Sequence, residues 1–229
     1  MFTSFTDFIA PRHCEVCGKY IGNEKRQIEV ICNDCFFLIP KAPPSEFITI
    51  RIKNNFSDEF YISKCTSLFF VSQDAPWMNV IHSLKYSGFS KVGLELGIEL
   101  GRVLAGSGSS YDFIIPVPIH SARRRERGFN QSELIAKGIS DFTKWQTDFK
   151  IIKRVKYTQT QTSLGSEERR LNVAEVFSPY KKSKEIKNSS ILLVDDVLTT
   201  GATLNACAKV ISRMGASSID VATLGFVSN

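Results

Sequence analysis

The 229-residue sequence contains no apolar run approaching the roughly 20 residues that span a bilayer. It also lacks a glycine period, a sustained heptad and an internal repeat, which excludes collagen-like and coiled-coil rods. The first residues, MFTSFTDFIAPRHC, have neither a basic stretch nor a long apolar one. A secretory signal is therefore not expected, and the expected compartment is the cytosol. A disordered chain is excluded by an apolar content of 43%, and 23% charged residues is ordinary for a globular protein. A chain of this length buries a core without staples and reads as one domain with a small appendage.

Lysine and arginine number 29 against 23 acidic residues, a net charge of +6. That balance suits anionic partners, phosphorylated metabolites or nucleic acid, or simply keeps the chain soluble. Residues 1–10 show helical spacing of Phe2, Phe5, Phe8 and Ile9. Residues 40–58 hold three of the eight prolines and read as a linker or edge segment. From Cys65 onward, strands and helices alternate. Strands are expected at 65–71, 111–119, 149–155, 189–197 and 218–227, and helices at 77–86, 92–106, 130–145 and 201–216. Asn130 is the expected N-cap of the 130–145 helix, with Glu133 in capping-box position. The order implies an α/β fold with a mostly parallel sheet. SILLV is apolar without alternation, as in strands covered on both faces.

Four of the six cysteines fall in two C-x-x-C pairs, Cys14 with Cys17 and Cys32 with Cys35, separated by 14 residues. Two such knuckles fit one tetrahedral zinc ion, and four thiolates leave no open position, so the zinc is expected to be structural. Two disulfides, disfavoured in a cytosolic chain, or four free thiols are the alternatives. His13, beside Cys14, is a substitute ligand. Cys65 and Cys207 read as buried, inert thiols.

The most informative stretch is ILLVDDVLTTGATL (191–204). A buried strand delivers Asp195 and Asp196 to its carboxyl end, where open α/β sheets bind ligands. Thr199, Thr200, Gly201, Ala202 and Thr203 then open a helix, whose unpaired N–H groups attract an anion. Gly201 and Ala202 keep side chains clear of a phosphate, and the threonine hydroxyls add donors. Adjacent carboxylates behind a phosphate can accept from a vicinal diol, so the pair describes a ribose 5-phosphate. The lysine of a Walker A loop is missing, so a P-loop NTPase is not supported.

ILLVDDVLTTGAT closely resembles the motif by which type I phosphoribosyltransferases bind 5-phosphoribosyl 1-pyrophosphate (PRPP). With the double C-x-x-C, HSLKYSG (82–88), PVPIHSARRRERGFNQSELIA (116–136) and QTSLGSEERRLNVAEVF (161–177), the chain resembles the ComF, or competence-protein-F-like, phosphoribosyltransferases along nearly its whole length. The resemblance implies a type I phosphoribosyltransferase-like fold, a mostly parallel open sheet flanked by helices, with a small N-terminal zinc module. The expected division is a helix and cysteine module over 1–42, a linker over 43–64 and the phosphoribosyltransferase-like domain over 65–229.

By its place, the segment after the 111–119 strand resembles the pyrophosphate loop of these enzymes. Ile119, His120, Ser121 and Ala122 would offer backbone donors there, and Arg123, Arg124, Arg125 and Arg127 offer cationic forks for phosphate oxygens. A solvated basic loop or a nucleic-acid patch is the competing reading of that run. Lys85 sits at a helix end within reach of a phosphate, or is a surface lysine. Residues 156–172 resemble the loop that closes over the reacting centre, with Gln161, Arg169 and Asn172 as its candidate residues. Asp195, Asp196, Arg169 and Gln161 are the candidate catalytic residues.

The implied activity is binding of PRPP with Mg²⁺ and transfer, or recognition, of the phosphoribosyl group. The acceptor, a base or amine, is not specified by the sequence. No glutaminase motif is present, so amide transfer from glutamine is not expected. The alternative is a PRPP-responsive competence protein that binds single-stranded DNA without catalysis.

Overall fold

The computed structural model describes residues 12–22, 28–57, 59–72, 77–84, 90–156 and 176–227. The helix expected over 1–10 lies outside them. Two short helices come first, α1 (Asn33–Leu38) and α2 (Ser45–Lys53), followed by strand β1 (Lys64–Phe70). Helices α3 (Trp77–Ser83) and α4 (Ser90–Gly106) lead to β2 (Phe113–Pro116), and helices α5 (Ser121–Arg127) and α6 (Gln131–Thr143) lead to β3 (Gln146–Thr147). Strands β4 (Ile152–Arg154) and β5 (Phe177–Pro179) precede the final unit of β6 (Ser190–Leu198), α7 (Ala202–Arg213) and β7 (Ser218–Phe226). Among the described residues, no helix is long and apolar enough to cross a membrane.

The main sheet has five strands in the order β1-β7-β6-β2-β3. Every pairing in it is parallel. The strand expected over 149–155 does not join it. Only Ile152–Arg154 is extended, and it pairs antiparallel with β5 in a separate two-stranded sheet. The strand expected over 111–119 stops at Pro116, since Pro116 and Pro118 bring no N–H to a ladder.

Both faces of the sheet are covered, which explains the unbroken apolar runs. Successive strand residues point to opposite faces. Ile114, Leu192, Val194, Ala222 and Leu224 pack with α4 and α6 in one cluster. Ile115, Ile191, Leu193, Ile219 and Val221 pack with α2 and α7 in the other. The cysteine segment shares the first cluster: Ile21, Ile28, Ile31 and Ile39 are buried with Leu96 and Leu100 of α4. Residues 45–53, concealed in the sequence by the prolines before them, form α2, which buries Ile48 and Ile52 against the second face.

Helices α4 and α6 approach at their glycines. A Cβ on Gly138 would lie 2.1 Å from the Leu94 carbonyl oxygen, and one on Gly97 would lie 2.3 Å from that of Ile135. Backbone contact this close fixes where the first turn of α6 sits.

The opposite end of the sheet carries a pH-sensitive contact. Asp112 Oδ2 accepts from the Ser190 N–H at 2.8 Å and from its hydroxyl at 2.9 Å. The Ser190 backbone bond, then the hydroxyl, holds the Asp112 carboxyl below its usual range. A depressed folded-state pKa stabilises the fold above the unfolded value, about 3.9, and this is lost as pH falls through the folded value. Asp112→Asn is expected to lower the melting temperature at pH 7. Its difference from wild type should shrink to nothing in melts run below the folded value, and a constant difference would show that the charge plays no part.

Candidate functional site

The strand order locates the site. The connection leaving β2 runs to β3 at one edge, and the connection leaving β6 runs the other way, to β7. The carboxyl ends of β2 and β6 therefore flank the switch point where open parallel sheets bind ligands. Asp195 and Asp196 lie on β6 at that end.

Both carboxylates are held by the first turn of α6. Asp195 Oδ1 accepts from the Ser132 hydroxyl at 2.9 Å and from the Asp196 N–H at 2.9 Å. Asp196 is buried, its Oδ2 accepting from Gln131 Nε2 at 3.3 Å and its Oδ1 from the Val197 N–H at 2.8 Å. Asn130 places that turn. As expected, it caps α6, accepting at Oδ1 from the Ser132 N–H. It also donates from Nδ2 to the Val117 carbonyl at 3.0 Å, tying α6 to the exit of β2. Residues Asn130, Gln131 and Ser132 thus join the two strands of the switch point. Sequence reading found only the cap. The one available signal was three polar residues opening an amphipathic helix, and they are buried here.

The turn after β6 has Gly201 in the left-handed region, φ +79°, ahead of α7. Its missing side chain also makes room on the side of α2. A Cβ there would lie 2.5 Å from Ile52 Cγ2 and 3.6 Å from Phe56, so Gly201 lets α2 close over the back of the turn. Thr199, Thr200, Ala202 and Thr203 are exposed. The Ala202 N–H donates to Thr200 Oγ1 at 3.4 Å, and the Thr200 carbonyl accepts from Asn55 Nδ2 at 3.2 Å.

The segment expected as an open pyrophosphate loop is partly helical. Ile119 and His120 remain irregular, while Ser121–Arg127 forms α5. His120 caps it, Nδ1 accepting from the Ala122 N–H at 3.2 Å. That amide is therefore already bonded within the chain. Arg124 forms a bidentate pair with Glu133, Nη2 to Oε2 at 3.0 Å. This pair, not the expected capping box, takes up the Glu133 carboxylate, because α5 packs beside the start of α6. Arg127 reaches Gln131 Oε1 at 3.4 Å. Arg123 lies close enough to Arg154 of β4 to lower its pKa. Burial is the larger cause of that lowering, and Asp195 opposes both. Lys85, Gln161, Arg169 and Asn172 lie outside the described residues, as does the side chain of His82.

The four cysteines converge. The sulfurs of Cys14, Cys17, Cys32 and Cys35 all lie within 4.8 Å of one another, and no disulfide joins them. His13 is not among them; its ring stands edge-on to Tyr20, centroids 6.1 Å apart. Cys14 Sγ accepts from the Cys32 N–H and Cys32 Sγ from the Cys35 N–H, each at 3.4 Å. Burial opposes a thiolate at Cys14, but the backbone donors of Cys32, Cys17 and Val16 outweigh it and bring the thiol down to about 7. Burial raises Cys32 and Cys35. Such crowding of thiols fits a cation at their centre, and the cluster could hold one metal ion. Cys65 and Cys207 are buried as expected, and burial pushes Cys65 up to about 12.

The phosphoribosyl transferase domain family matches residues 132–226. Competence protein F of Haemophilus influenzae is 39% identical over 108 residues, 47% of this chain and 47% of that protein. The chain thus spans about half the length of that relative. Competence protein ComFC of Bacillus subtilis is 26% identical over 215 residues, 92% of this chain and 76% of that protein. Among solved structures, the glutamine PRPP amidotransferase of B. subtilis is 18% identical, with a TM-score of 0.42 over 62% of this chain and 30% of that one. The match to the phosphoribosyl transferase domain family thus falls on the C-terminal part of the chain, which carries β6, α7 and β7 of the parallel sheet. The chain is similar to competence protein F over about half its length and to ComFC over most of it, and carries a four-cysteine cluster ahead of the matched segment.

Proposed function

We propose that the chain binds PRPP and transfers its 5-phosphoribosyl group to a nitrogen acceptor. The observation that carries this reading is the acid pair at the switch point, fixed by Ser132 and Gln131 beside an exposed threonine turn. Asp195 and Asp196 would accept from the ribose hydroxyls and favour the positive charge that develops on the sugar. Thr199, Thr200, Ala202 and Thr203 would hold the 5-phosphate at the start of α7. Ile119, His120 and Arg123 would border the diphosphate, with Arg124 reaching it only by leaving Glu133. Mg²⁺ would neutralise the diphosphate; it is a hard cation, and the two carboxylates supply the oxygen donors it prefers. Lys85, Gln161 and Arg169 complete the proposed set by resemblance. We propose zinc for Cys14, Cys17, Cys32 and Cys35, in a cytosolic chain whose thiols stay reduced.

Calorimetry with PRPP and Mg²⁺ tests the reading. Wild type should bind in the micromolar range, and Asp195→Asn with Asp196→Asn should weaken binding at least 100-fold. Equal affinity of wild type and the double variant would overturn it.

Single-strand binding is the second reading, favoured by the arginine-rich surface of α5. It predicts salt-dependent affinity for oligonucleotides that survives loss of the acid pair and falls when Arg123 and Arg125 are neutralised.

A further inference from the structure

Helix α4 is a wall shared by the cysteine segment and α6. On one side, Ile21, Ile28, Ile31 and Ile39 are buried with its Leu96 and Leu100, in the cluster that also holds Cys14, Cys32 and Cys35. Glu29 adds polar ties. Its N–H donates to Glu95 Oε2 at 2.7 Å, and its carboxylate pairs with Lys91 and with Arg12.

On the other side, three glycines of α4 one turn apart let α6 approach. A Cβ on Gly93 would lie 3.2 Å from Leu134 Cβ, one on Gly97 2.3 Å from the Ile135 carbonyl oxygen, and one on Gly101 3.2 Å from Ile139 Cα. Leu134 and Ile135 stand just after Gln131 and Ser132, which donate to Asp196 and Asp195. The cysteines and the acid pair are therefore joined by an unbroken series of packed or hydrogen-bonded neighbours.

That series has little slack. A close-packed interior transmits displacement, because it has few voids to absorb one. At Gly97 and Gly101 the touching atoms are backbone, so no side chain of α6 can turn to absorb a shift of α4. The bond from Gln131 Nε2 to Asp196 Oδ2 is already 3.3 Å long, near the outer limit for a hydrogen bond. A small movement of the first turn of α6 breaks it. At the far end of the series, the free energy of metal binding is the folding free energy of such a segment. Without the ion, nothing holds the four isoleucines against α4.

We propose that the metal at the four cysteines is an allosteric effector of PRPP binding, acting through α4 and α6. The proposal rests on the PRPP and zinc readings above. The two states are α4 covered on both sides, and α4 bare toward the cysteine segment. In the covered state Gln131 and Ser132 hold the acid pair ready for the sugar, and in the bare state fewer molecules hold it so. Apparent affinity falls with the share of molecules in the competent state. Linkage then requires PRPP to tighten zinc binding by the same factor by which zinc tightens PRPP binding.

The test uses the full chain, loaded with zinc or stripped of it, well below the melting temperature of the stripped form. Calorimetry with PRPP and Mg²⁺ should show affinity at least fivefold weaker for the stripped chain, the low end of such couplings, and restored when zinc is returned. Competition with a chelator that takes zinc and leaves Mg²⁺ should show zinc affinity raised by the same factor in saturating PRPP. Hydrogen exchange read by mass spectrometry should quicken on stripping in the cysteine segment, in α4 and in the first turn of α6, with α7 and β7 unchanged. Three results overturn the coupling while PRPP binding stands: equal PRPP affinity of the two forms, zinc affinity that PRPP leaves within twofold, or faster exchange confined to the cysteine segment. Faster exchange along the whole chain would show general unfolding and overturn it also. If the loaded chain does not bind PRPP, the transfer reading and this proposal fall together.

Discussion

Stripping the metal from the full chain with a strong chelator is expected to unfold the segment around the four cysteines and lower the melting temperature by at least about 10 °C. A structural zinc site contributes on the order of 10 kcal/mol of folding free energy. Without a cation, three buried sulfurs and one exposed one crowd together, and no disulfide replaces the metal. The loss spreads, because Ile21, Ile28, Ile31 and Ile39 share a cluster with α4. Polar ties also join the two parts: the Glu29 N–H donates to Glu95 Oε2 at 2.7 Å, and Arg12 and Lys91 pair with the Glu29 carboxylate. Metal analysis by mass spectrometry should find one zinc per chain. Cys14→Ser with Cys32→Ser should reproduce the chelated melt. An unchanged melting curve after verified metal loss would falsify the structural role, and an absence of zinc in freshly purified protein would remove it outright.

Gly138→Ala is expected to destabilise the protein by about 3 kcal/mol or more, at or beyond the upper end for overpacking. The added methyl would meet the Leu94 carbonyl oxygen at 2.1 Å and the Ile98 nitrogen at 2.8 Å. Both are backbone atoms of α4, so no side chain can swing aside and the helices must separate. The gain in helix propensity from alanine, about 1 kcal/mol, offsets only part of this. Gly106→Ala, at the end of α4 with nothing within 4 Å, is the control and should be neutral or slightly stabilising. Urea unfolding compares the two, and equal midpoints would show that α4 and α6 are not locked. Because α6 begins with the residues that hold Asp195 and Asp196, Gly138→Ala should also weaken the proposed binding of PRPP.

The legible parts of the sequence were those whose cause is local. Ile191 to Val194 announce a doubly covered strand, and Asp195 and Asp196 follow toward its carboxyl end, which reaches Leu198. The spacing of the cysteines brings four sulfurs together whatever surrounds them. Asn130 caps the helix it precedes. What stayed hidden depends on partners far along the chain. Gln131 and Ser132 reach acids more than sixty residues away, and nothing near them in the sequence names that target. Residues 45–53 look like a continuation of a proline-rich stretch until Ile52 is seen beneath Gly201. The arginine run resembles a solvated loop because its helix is closed at one end by His120 and braced by Glu133 across a turn. The strand at 152–154 has the right composition, but pairs with β5 outside the parallel sheet.

The contact between Ile52 and Gly201 makes the two halves of the polypeptide interdependent. A fragment trimmed to 132–226 would lose β1 and β2, and with them α2, so its threonine turn would have solvent where Ile52 now presses. Recombining the C-terminal half with another protein's front half would succeed only if the donor brought a helix with a matching apolar ridge. The segment ahead of the sheet is therefore a supporting wall of the threonine turn, and changes made to it will be felt there.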